Sequence, residues 1–241
     1  MDNTEVSTPT STMPTVMLVH GAWADGSAWN DVTARLQAKG LRVVSVQNPL
    51  GSLADDVAAV QRALEQESSP VLLVGHSWGG TVITQAGMSD RVVGLVYVAA
   101  FAPAPGESTN DLQRGHPPPG YAALLRADSA GFLWFPQEAL PTWFAQDLPA
   151  VNARVLAAAQ NSIRAAAFDE PVSAAAWQSK PSWYLLTDQD RMISPDLQRE
   201  MATRIDAHVV TLAASHVPFL SRPRETTALI LDALMRFGGP R

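Results

Sequence analysis

The 241-residue sequence predicts an α/β fold in which a mainly six-stranded, parallel, doubly wound sheet carries an inserted helical cap. Three observations favour this fold. Short runs rich in β-branched residues alternate with helical patterns, two of these runs are apolar almost without interruption, and one long stretch breaks the alternation. Continuous apolar runs are typical of strands covered by helices on both faces.

Six segments have the length and composition of strands, with helical patterns between them. Residues 71–74 and 95–98 are the most apolar, so we expect them at the centre of the sheet. The predicted strands are residues 15–19, 41–46, 71–74, 92–98, 182–187 and 208–212. The predicted helices are residues 29–39 with Gly40 as C-terminal cap, 53–66, 80–86, 195–204 and 224–237.

Residues 102–180 are too long for a loop and too helical for one more strand and helix, so we expect a cap inserted after the fourth strand. This stretch contains several prolines, a cluster of aromatic residues and an Ala-rich helical segment at 151–167. The aromatic residues either line a substrate pocket or form a small core of the cap. The candidates for the pocket are Trp134, Phe135, Trp143 and Phe144, together with Trp23 and Val217.

Composition indicates a packed globular protein, since 46% of the residues are hydrophobic and 17% are charged. A net charge of −6 without a basic run argues against nucleic acid or an anionic membrane surface as partners. The absence of cysteine excludes disulfides, thiolate catalysis and Cys-containing metal sites. Oligomeric state stays open.

The first fourteen residues are predicted to be a flexible tail before a single domain of residues 15–241. They lack the basic and apolar regions of a secretory signal, and no apolar run of the sequence approaches the ~20 residues of a membrane-spanning helix. We therefore expect a cytoplasmic protein that does not enter a membrane.

The pentapeptide Gly75-His76-Ser77-Trp78-Gly79 separates a predicted buried strand from a predicted helix. Its G-x-S-x-G pattern is that of a nucleophile elbow. The glycines have a steric reason, because the turn strains the serine backbone and side chains two residues away would collide with it. Ser77 is thus the predicted nucleophile; the alternative is a turn without chemistry.

A serine nucleophile needs a base and a third group that orients the base. His216 follows the last predicted strand and is the candidate base, whereas Asp190 follows the fifth and is the candidate acid. Both residues leave the edge of the sheet at which Ser77 is expected. Asp188 is the alternative acid; Asp190 is favoured because the helix start at Ser194 suits a side chain that turns back toward the site.

The backbone amides of Ala22 and Trp78 are the predicted donors of an oxyanion hole, which forms from an early loop and from the residue after the nucleophile. Gly21 allows the close approach of the backbone that such a hole requires.

The remaining histidines are not assigned to catalysis. His20 and His76 flank the two turns and are expected to orient these loops through hydrogen bonds, while His116 and His208 receive no role. No histidine pairs with another histidine or a carboxylate at a familiar ligand spacing, so a metal site is not expected. Chemistry by a serine nucleophile and a histidine base needs no cofactor, so none is expected either.

These motifs resemble the α/β-hydrolase superfamily, and within it the small cap-bearing branch that includes plant methylesterases, hydroxynitrile lyases and bacterial esterases. The resemblance covers residues 15–100 and 182–241. It rests on His20-Gly21-Ala22 with Trp29, on Gly75-His76-Ser77-Trp78-Gly79-Gly80, on Asp190-Arg191-Met192-Ile193 and on Ser215-His216-Val217-Pro218.

The resemblance implies a serine hydrolase that cleaves a small apolar or aromatic carboxylic ester through an acyl-enzyme intermediate. Lyases of the branch tend to have threonine after the first histidine and a lysine in the pocket. Here Gly21 has the esterase form, and no lysine lies between Lys39 and Lys180. Ser27, where the plant enzymes usually have tryptophan, and Asp25 depart from the pattern and put plant-type substrates in doubt.

Two other classes of function stay open at this point. A cofactor-free lyase, perhydrolase or dioxygenase uses the same pair of serine and histidine, and fold alone does not separate these reactions. A receptor that binds a small ligand without turnover is the second alternative, against which the complete set of Ser77, His216 and Asp190 argues.

Overall fold

A parallel sheet of six strands forms the centre of the computed structural model, which describes residues 13–238. The strands of the described residues are β1 (Thr15–Val19), β2 (Val43–Val46), β3 (Val71–His76), β4 (Val92–Val98), β5 (Arg126–Ala127), β6 (Phe132–Trp134), β7 (Ile163–Arg164), β8 (Ser182–Thr187) and β9 (His208–Leu212). The central sheet has the order β2-β1-β3-β4-β8-β9 and only parallel pairs. The predicted six-stranded parallel sheet is confirmed.

Strands β3 and β4 lie in the middle of the sheet, as their continuous apolar sequences predicted. Every residue of β3 is buried, whereas residues of the edge strand β9 are exposed or half-buried. This difference follows from the helices that cover both faces of a central parallel strand.

The carboxyl ends of the strands line up at one edge of the sheet. Val19 of β1 pairs with Gly75 of β3, and Val98 of β4 pairs with His76 of β3 on one side and Leu185 of β8 on the other. From β1 the chain passes to β2 on one side and then returns to β3 on the other. The loops after β1 and β3 therefore meet at a topological switch point, where open α/β sheets form their sites.

Helices of the described residues are α1 (Asn30–Gln37), α2 (Leu53–Glu65), α3 (Trp78–Ala86), α4 (Thr109–Gln113), α5 (Leu140–Trp143), α6 (Ala150–Ala158), α7 (Pro195–Arg204), α8 (Pro218–Ser221) and α9 (Pro223–Met235). The five predicted helices correspond to α1, α2, α3, α7 and α9. The first starts later than predicted because Gly26–Trp29 forms a separate 3-10 turn. Gly40 has a φ of 76°, which suits its predicted position beyond the helix end.

The cap lies between β4 and β8 and is not built of helices alone. Strands β5, β6 and β7 form a small antiparallel sheet there, which the sequence did not predict. The Ala-rich segment at 151–167 is α-helical only as far as the end of α6, and a 3-10 helix covers Ala165–Asp169. The side chain of Gln160 then bonds both backbone groups of Phe135, and the chain pairs with β6. These contacts override the helical propensity of alanine.

Parts of the chain at both ends lie outside the described residues. The predicted N-terminal tail, residues 1–14, is described only from Met13 onward, and residues 239–241 are not described. Across residues 13–238, each helix is too short or too polar to cross a lipid bilayer.

Candidate active site

Ser77 lies between β3 and α3 in a backbone conformation that residues other than glycine rarely adopt, with φ 51° and ψ −120°. The neighbouring glycines make this turn possible. A Cβ atom on Gly75 would lie 2.6 Å from the carbonyl oxygen of Gly79, and one on Gly79 would lie 2.8 Å from the carbonyl oxygen of His20. The G-x-S-x-G pattern is therefore a steric requirement of the turn.

The loop after β1 lies directly against the serine, since a Cβ atom on Gly21 would come within 2.7 Å of the Cβ atom of Ser77. The next residue, Ala22, and the residue after the serine, Trp78, carry the two predicted oxyanion donors. Neither of these backbone amides donates a hydrogen bond to any atom of residues 13–238. Both amides thus keep their hydrogen-bonding capacity for a ligand.

His20 anchors this loop as a neutral imidazole, in the orienting role that the sequence suggested. Its Nε2 accepts the backbone N–H of Asn48 at 2.9 Å, so the proton resides on Nδ1, which donates to the carbonyl oxygen of Gly21 at 2.8 Å. Burial lowers the pKa of His20. The Asn48 side chain also donates to the carbonyl oxygen of His20 at 2.9 Å, a contact for which the sequence held no signal.

His216 and Asp190 meet at the ends of β9 and β8. Nδ1 of His216 donates to Oδ2 of Asp190 at 2.8 Å, and both side chains are almost fully buried. Nε2 of His216 is buried as well and has no hydrogen-bond partner among residues 13–238. Asp188, the alternative acid, is exposed.

Four protein donors besides His216 fix the Asp190 carboxylate. Oδ1 accepts two backbone N–H groups, and Oδ2 accepts the hydroxyl of Thr187 at 3.1 Å and the amide of Gln198 at 2.8 Å. The backbone donors are Met192 at 2.7 Å and Ile193 at 3.1 Å. Both oxygens are held, so the carboxylate presents a fixed acceptor to the imidazole.

A second histidine supports the backbone of His216. Nε2 of His76 donates to the carbonyl oxygen of His216 at 2.9 Å, and the two ring centres are 4.6 Å apart. Burial, together with the nearby His216, lowers the pKa of His76 far below its usual value, so His76 stays neutral. This contact agrees with the predicted orienting role.

The cap segment 142–147 contacts the loop that carries His216. The ring centre of Phe144 lies 5.0 Å from that of His216 in an edge-to-face arrangement. Oδ2 of Asp147 accepts the backbone N–H of Ser215 at 2.9 Å. The cap thus holds the residue immediately before the candidate base.

The same cap segment also contacts the loop that carries Asp190. The amide of Gln146 donates to the carbonyl oxygen of Gln189 at 2.6 Å, and the guanidinium of Arg191 donates to the carbonyl oxygen of Thr142 at 2.8 Å. No pattern in the sequence indicated these contacts.

A cavity of about 430 Å³ opens between the core and the cap, with Ser77 in its wall. Its lining contains apolar residues from both parts of the molecule and polar residues of the cap. The lining comprises Ala22, Trp23, Ser77, Phe101, Asn110, Gln113, Arg114, His116, Pro118, Pro119, Tyr121, Ala122, Leu125, Leu133, Ala165, Phe168, Asp169, Met192 and Ile193.

Of the six residues predicted to line a pocket, Trp23 reaches this cavity. The prediction for Trp134 is corrected: its side chain is 44% exposed on the outside of the cap, where Nε1 donates to Asp128 at 3.2 Å. The alternation of side chains along β6 explains this orientation, because neighbouring residues of a strand face opposite sides. Leu133, the residue before Trp134, lines the cavity instead.

The other four predicted residues do not line this cavity; three of them are buried and Trp143 is half-buried. Phe135 stacks on Tyr121, and Trp143 lies against Gly120. Phe144 and Val217 are fully buried. For the cap aromatics, the alternative of a small core therefore describes the structure better than a pocket wall.

Several lining residues were missed. Met192 and Ile193 belong to a motif noted in the sequence, whereas Tyr121 and Phe168 carry no local signal.

His116 and His208 pair on the surface with Glu200 at 3.2 Å and Asp232 at 3.7 Å, respectively. Among the described residues, no three His, Asp or Glu side chains cluster as metal ligands would.

The sequence matches a known protein family and several known proteins. The sequence model described as "Alpha/beta hydrolase family" matches residues 16–229. The chain is 27% identical over 245 residues to the probable hydrolase R7 of a Phoma species, covering 92% of this chain and 98% of that one. It is 26% identical over 254 residues to methylesterase 7 of Arabidopsis thaliana, covering 89% and 92%.

A solved structure has the same fold. The crystal structure of a pyrethroid hydrolase from Sphingobium faniae superposes with a TM-score of 0.79 and covers 93% of this chain and 98% of that chain. The sequence identity is 23%, so this likeness concerns the fold alone.

Proposed function

The chain belongs to the alpha/beta hydrolase family, and we propose that it is a carboxylesterase-type serine hydrolase acting through Ser77, His216 and Asp190. One observation carries this proposal. Nδ1 of His216 is bound to Asp190, whereas Nε2 is buried and has no partner among residues 13–238. A histidine held in this way is oriented to accept a proton, and Ser77 in the adjoining cavity wall is the donor that we assign to it.

In the first half of the reaction, Nε2 of His216 takes the hydroxyl proton of Ser77 while Oγ attacks the carbonyl carbon of the ester. The backbone amides of Ala22 and Trp78 donate to the oxygen that becomes negative. The N-terminus of α3 adds the positive end of its dipole at the same place. Protonation by His216 then releases the alcohol and leaves an acyl group on Ser77.

In the second half, His216 takes a proton from water as the water attacks the acyl carbonyl. His216 then returns this proton to Oγ of Ser77 as the bond between Oγ and the acyl carbon breaks, and the carboxylic acid leaves. Asp190 keeps the Nδ1 proton of His216 in place throughout, because both of its oxygens are fixed by protein donors. All groups of this cycle come from the chain itself, so the proposed reaction uses no cofactor.

A small ester with an apolar or aromatic part is the substrate class that the cavity favours. Trp23, Leu133 and Phe168 form an apolar wall beside Ser77, and the volume of about 430 Å³ suits a small organic molecule. The name of one similar protein, a methylesterase, agrees with ester chemistry.

The positions of both lysines favour hydrolysis over the lyase alternative. Lys39 is exposed beyond the end of α1, and Lys180 donates to the carbonyl oxygens of Ser89 and Val92. Val92 starts β4, so Lys180 lies at the edge of the sheet opposite to Ser77. Neither lysine belongs to the cavity lining.

The test is hydrolysis of p-nitrophenyl esters of increasing acyl length by the wild-type chain and by Ser77→Ala. We expect kcat/KM to fall by roughly 10³-fold or more in the variant, with an unchanged circular dichroism spectrum. Ser27→Ala removes an exposed serine hydroxyl outside the cavity and serves as the matched control. Retention of most activity by Ser77→Ala would refute the mechanism.

A further inference from the structure

Tyr121 is a cap residue that the proposed reaction does not use, although it lines the cavity beside Ser77. Its side chain is held on two sides by aromatic rings. The ring of Trp23 meets it edge-on with centres 6.1 Å apart, and the ring of Phe135 stacks on it at 5.7 Å. Because only 8% of the residue is exposed, the position of its ring is well defined.

The hydroxyl of Tyr121 differs from the other two tyrosine hydroxyls of the chain. Tyr97 shares a hydrogen bond with Thr84 at 2.9 Å, and Tyr184 donates to the carbonyl oxygen of Ala100 at 2.5 Å. The Tyr121 hydroxyl has no hydrogen-bond partner among residues 13–238. Its oxygen is not among the fully buried polar atoms without a partner, and the residue lines the cavity, so the hydroxyl is free to donate to a molecule there.

Electrostatics keep this hydroxyl protonated. Burial, together with the negative charge of Asp190, raises the pKa of Tyr121 above its usual value. At neutral pH, Tyr121 is therefore a neutral donor that suits an uncharged acceptor oxygen.

Three polar neighbours in the cavity wall have protein partners of their own. Asn110 donates to Asp169 at 2.7 Å. Arg114 forms an ion pair with Asp111 at 2.6 Å, and His116 contacts Glu200. Tyr121 differs from these residues because it offers a polar group without a protein partner next to the apolar residues of the wall.

We propose that the Tyr121 hydroxyl donates a hydrogen bond to a second acceptor oxygen of the substrate, distinct from the scissile carbonyl. The scissile carbonyl has its own donors in Ala22 and Trp78. The substrate class is therefore narrowed to apolar or aromatic esters that also carry an ether, ketone or second ester oxygen. This inference rests on the proposed esterase function.

The experiment compares wild type with Tyr121→Phe on isosteric pairs of p-nitrophenyl esters. Each pair consists of an alkanoate and the analogue in which one methylene of the acyl chain is replaced by oxygen, and this oxygen is moved along the chain from pair to pair. We expect at least one oxygen-containing ester to lose roughly fivefold or more in kcat/KM relative to its alkanoate when the hydroxyl is removed.

An unchanged ratio within every pair would overturn the inference. An equal loss on both members of each pair would overturn it as well, because the hydroxyl would then act on the fold or on the triad. Thermal unfolding of Tyr121→Phe distinguishes a folding defect from a loss of recognition.

Two controls separate this inference from the proposed function. Tyr97→Phe removes a buried hydroxyl that is bonded to Thr84 outside the cavity, so it is expected to lower stability and to leave the ratios unchanged. Ser77→Ala is assayed on the same esters. Ester hydrolysis that does not depend on Ser77 would refute the function itself, whereas Ser77-dependent hydrolysis with unchanged ratios would refute the role of Tyr121 alone.

Discussion

The two halves of the candidate site are held in place by different means. The nucleophile half, formed by the loops after β1 and β3, is fixed mainly by backbone packing, with Gly79 against the end of β1 and Gly21 against Ser77. The side chains of His20 and Asn48 add hydrogen bonds to the loop after β1. The acid–histidine half, formed by the loops after β8 and β9, is fixed by side chains. One of these side chains, Asp147, belongs to the cap and bonds Ser215.

The backbone of Ser77 is set by the core, although Trp23 of the loop after β1 also bonds the cap through the carbonyl oxygens of Asn161 and Leu133. The alignment of the base depends more directly on the cap, through Asp147. A change in the core should therefore affect folding as a whole. A change in the cap segment 142–147 should affect the orientation of His216 first, because Phe144 and Asp147 lie against its loop.

Gly79→Ala should produce the largest effect, because the new Cβ atom would overlap with the carbonyl oxygens of Val19 and His20. These are backbone atoms of a buried strand end and cannot rotate away. We expect a loss of more than about 4 kcal/mol in the free energy of unfolding, or failure to fold. Soluble yield and urea-induced unfolding measure this loss.

Gly106→Ala is the matched control for this substitution. Gly106 has a φ of 82°, and a Cβ atom there would meet nothing within 4 Å. The expected loss is roughly 1–2 kcal/mol from backbone strain alone. If Gly79→Ala were no less stable than Gly106→Ala, backbone packing would not be what fixes the nucleophile half.

Asp190→Asn should have the next largest effect, and it acts on activity more than on folding. Asparagine has one oxygen where the carboxylate has two. The Nδ1–H group of His216 and the backbone N–H groups of Met192 and Ile193 therefore compete for that oxygen. We expect kcat to fall by roughly 10²- to 10⁴-fold. Steady-state kinetics of Asp188→Asn, an exposed neighbour, should match the wild type; a comparable loss there would contradict the assignment.

The two halves also differ in how far the sequence could predict them. The nucleophile half was predictable because its steric requirement leaves glycines at fixed positions around Ser77. In the other half, the pair of His216 and Asp190 was predicted, but the contacts with the cap left no such trace, since the bond from Ser215 to Asp147 joins residues 68 positions apart. Such a contact depends on how the cap docks and not on a local pattern.

The fold itself followed from the sequence where the elements are long. The central strands and the five core helices have clear patterns, and their bounds differ little from the predicted ones. The cap sheet was missed because β5 and β7 contain two residues each and β6 only three. A strand this short has no detectable alternation, so the side on which Trp134 lies was not predictable.

Asp56 provides a test of the nucleophile half that depends on pH. This buried carboxylate accepts hydrogen bonds from the Nε1–H group of Trp78 at 2.7 Å and from the backbone N–H of Leu50 at 2.8 Å. Burial raises its pKa from 3.8 to about 6. The folded protein therefore binds this proton more tightly than the unfolded chain does, and the contribution of Asp56 to stability decreases as pH rises from about 4 to about 6.

The size of this decrease is ~3 kcal/mol, at about 1.4 kcal/mol for each pH unit of the difference in pKa. Asp56→Asn cannot ionise and should lack this part of the pH dependence. The measurement is urea-induced unfolding of both proteins from about pH 4 to about pH 7. Curves of stability against pH that run parallel for the two proteins would show that Asp56 does not titrate in this range.

Asp147→Ala should have the smallest effect, and it tests directly whether the cap aligns His216. The backbone N–H of Ser215 loses its acceptor, and the neighbouring His216 loses part of its alignment while Ser77 and its loops stay as they are. We expect kcat to fall by roughly 5- to 10-fold, with a smaller change in KM, and Asp147→Asn to retain more activity because an acceptor oxygen remains. Asp128→Ala is the matched control, since Asp128 also accepts backbone N–H groups within the cap, from Ala130 and Phe132. If Asp128→Ala lowers kcat as much as Asp147→Ala, the cap acts through its general stability; if only Asp147→Ala does, the cap aligns the base.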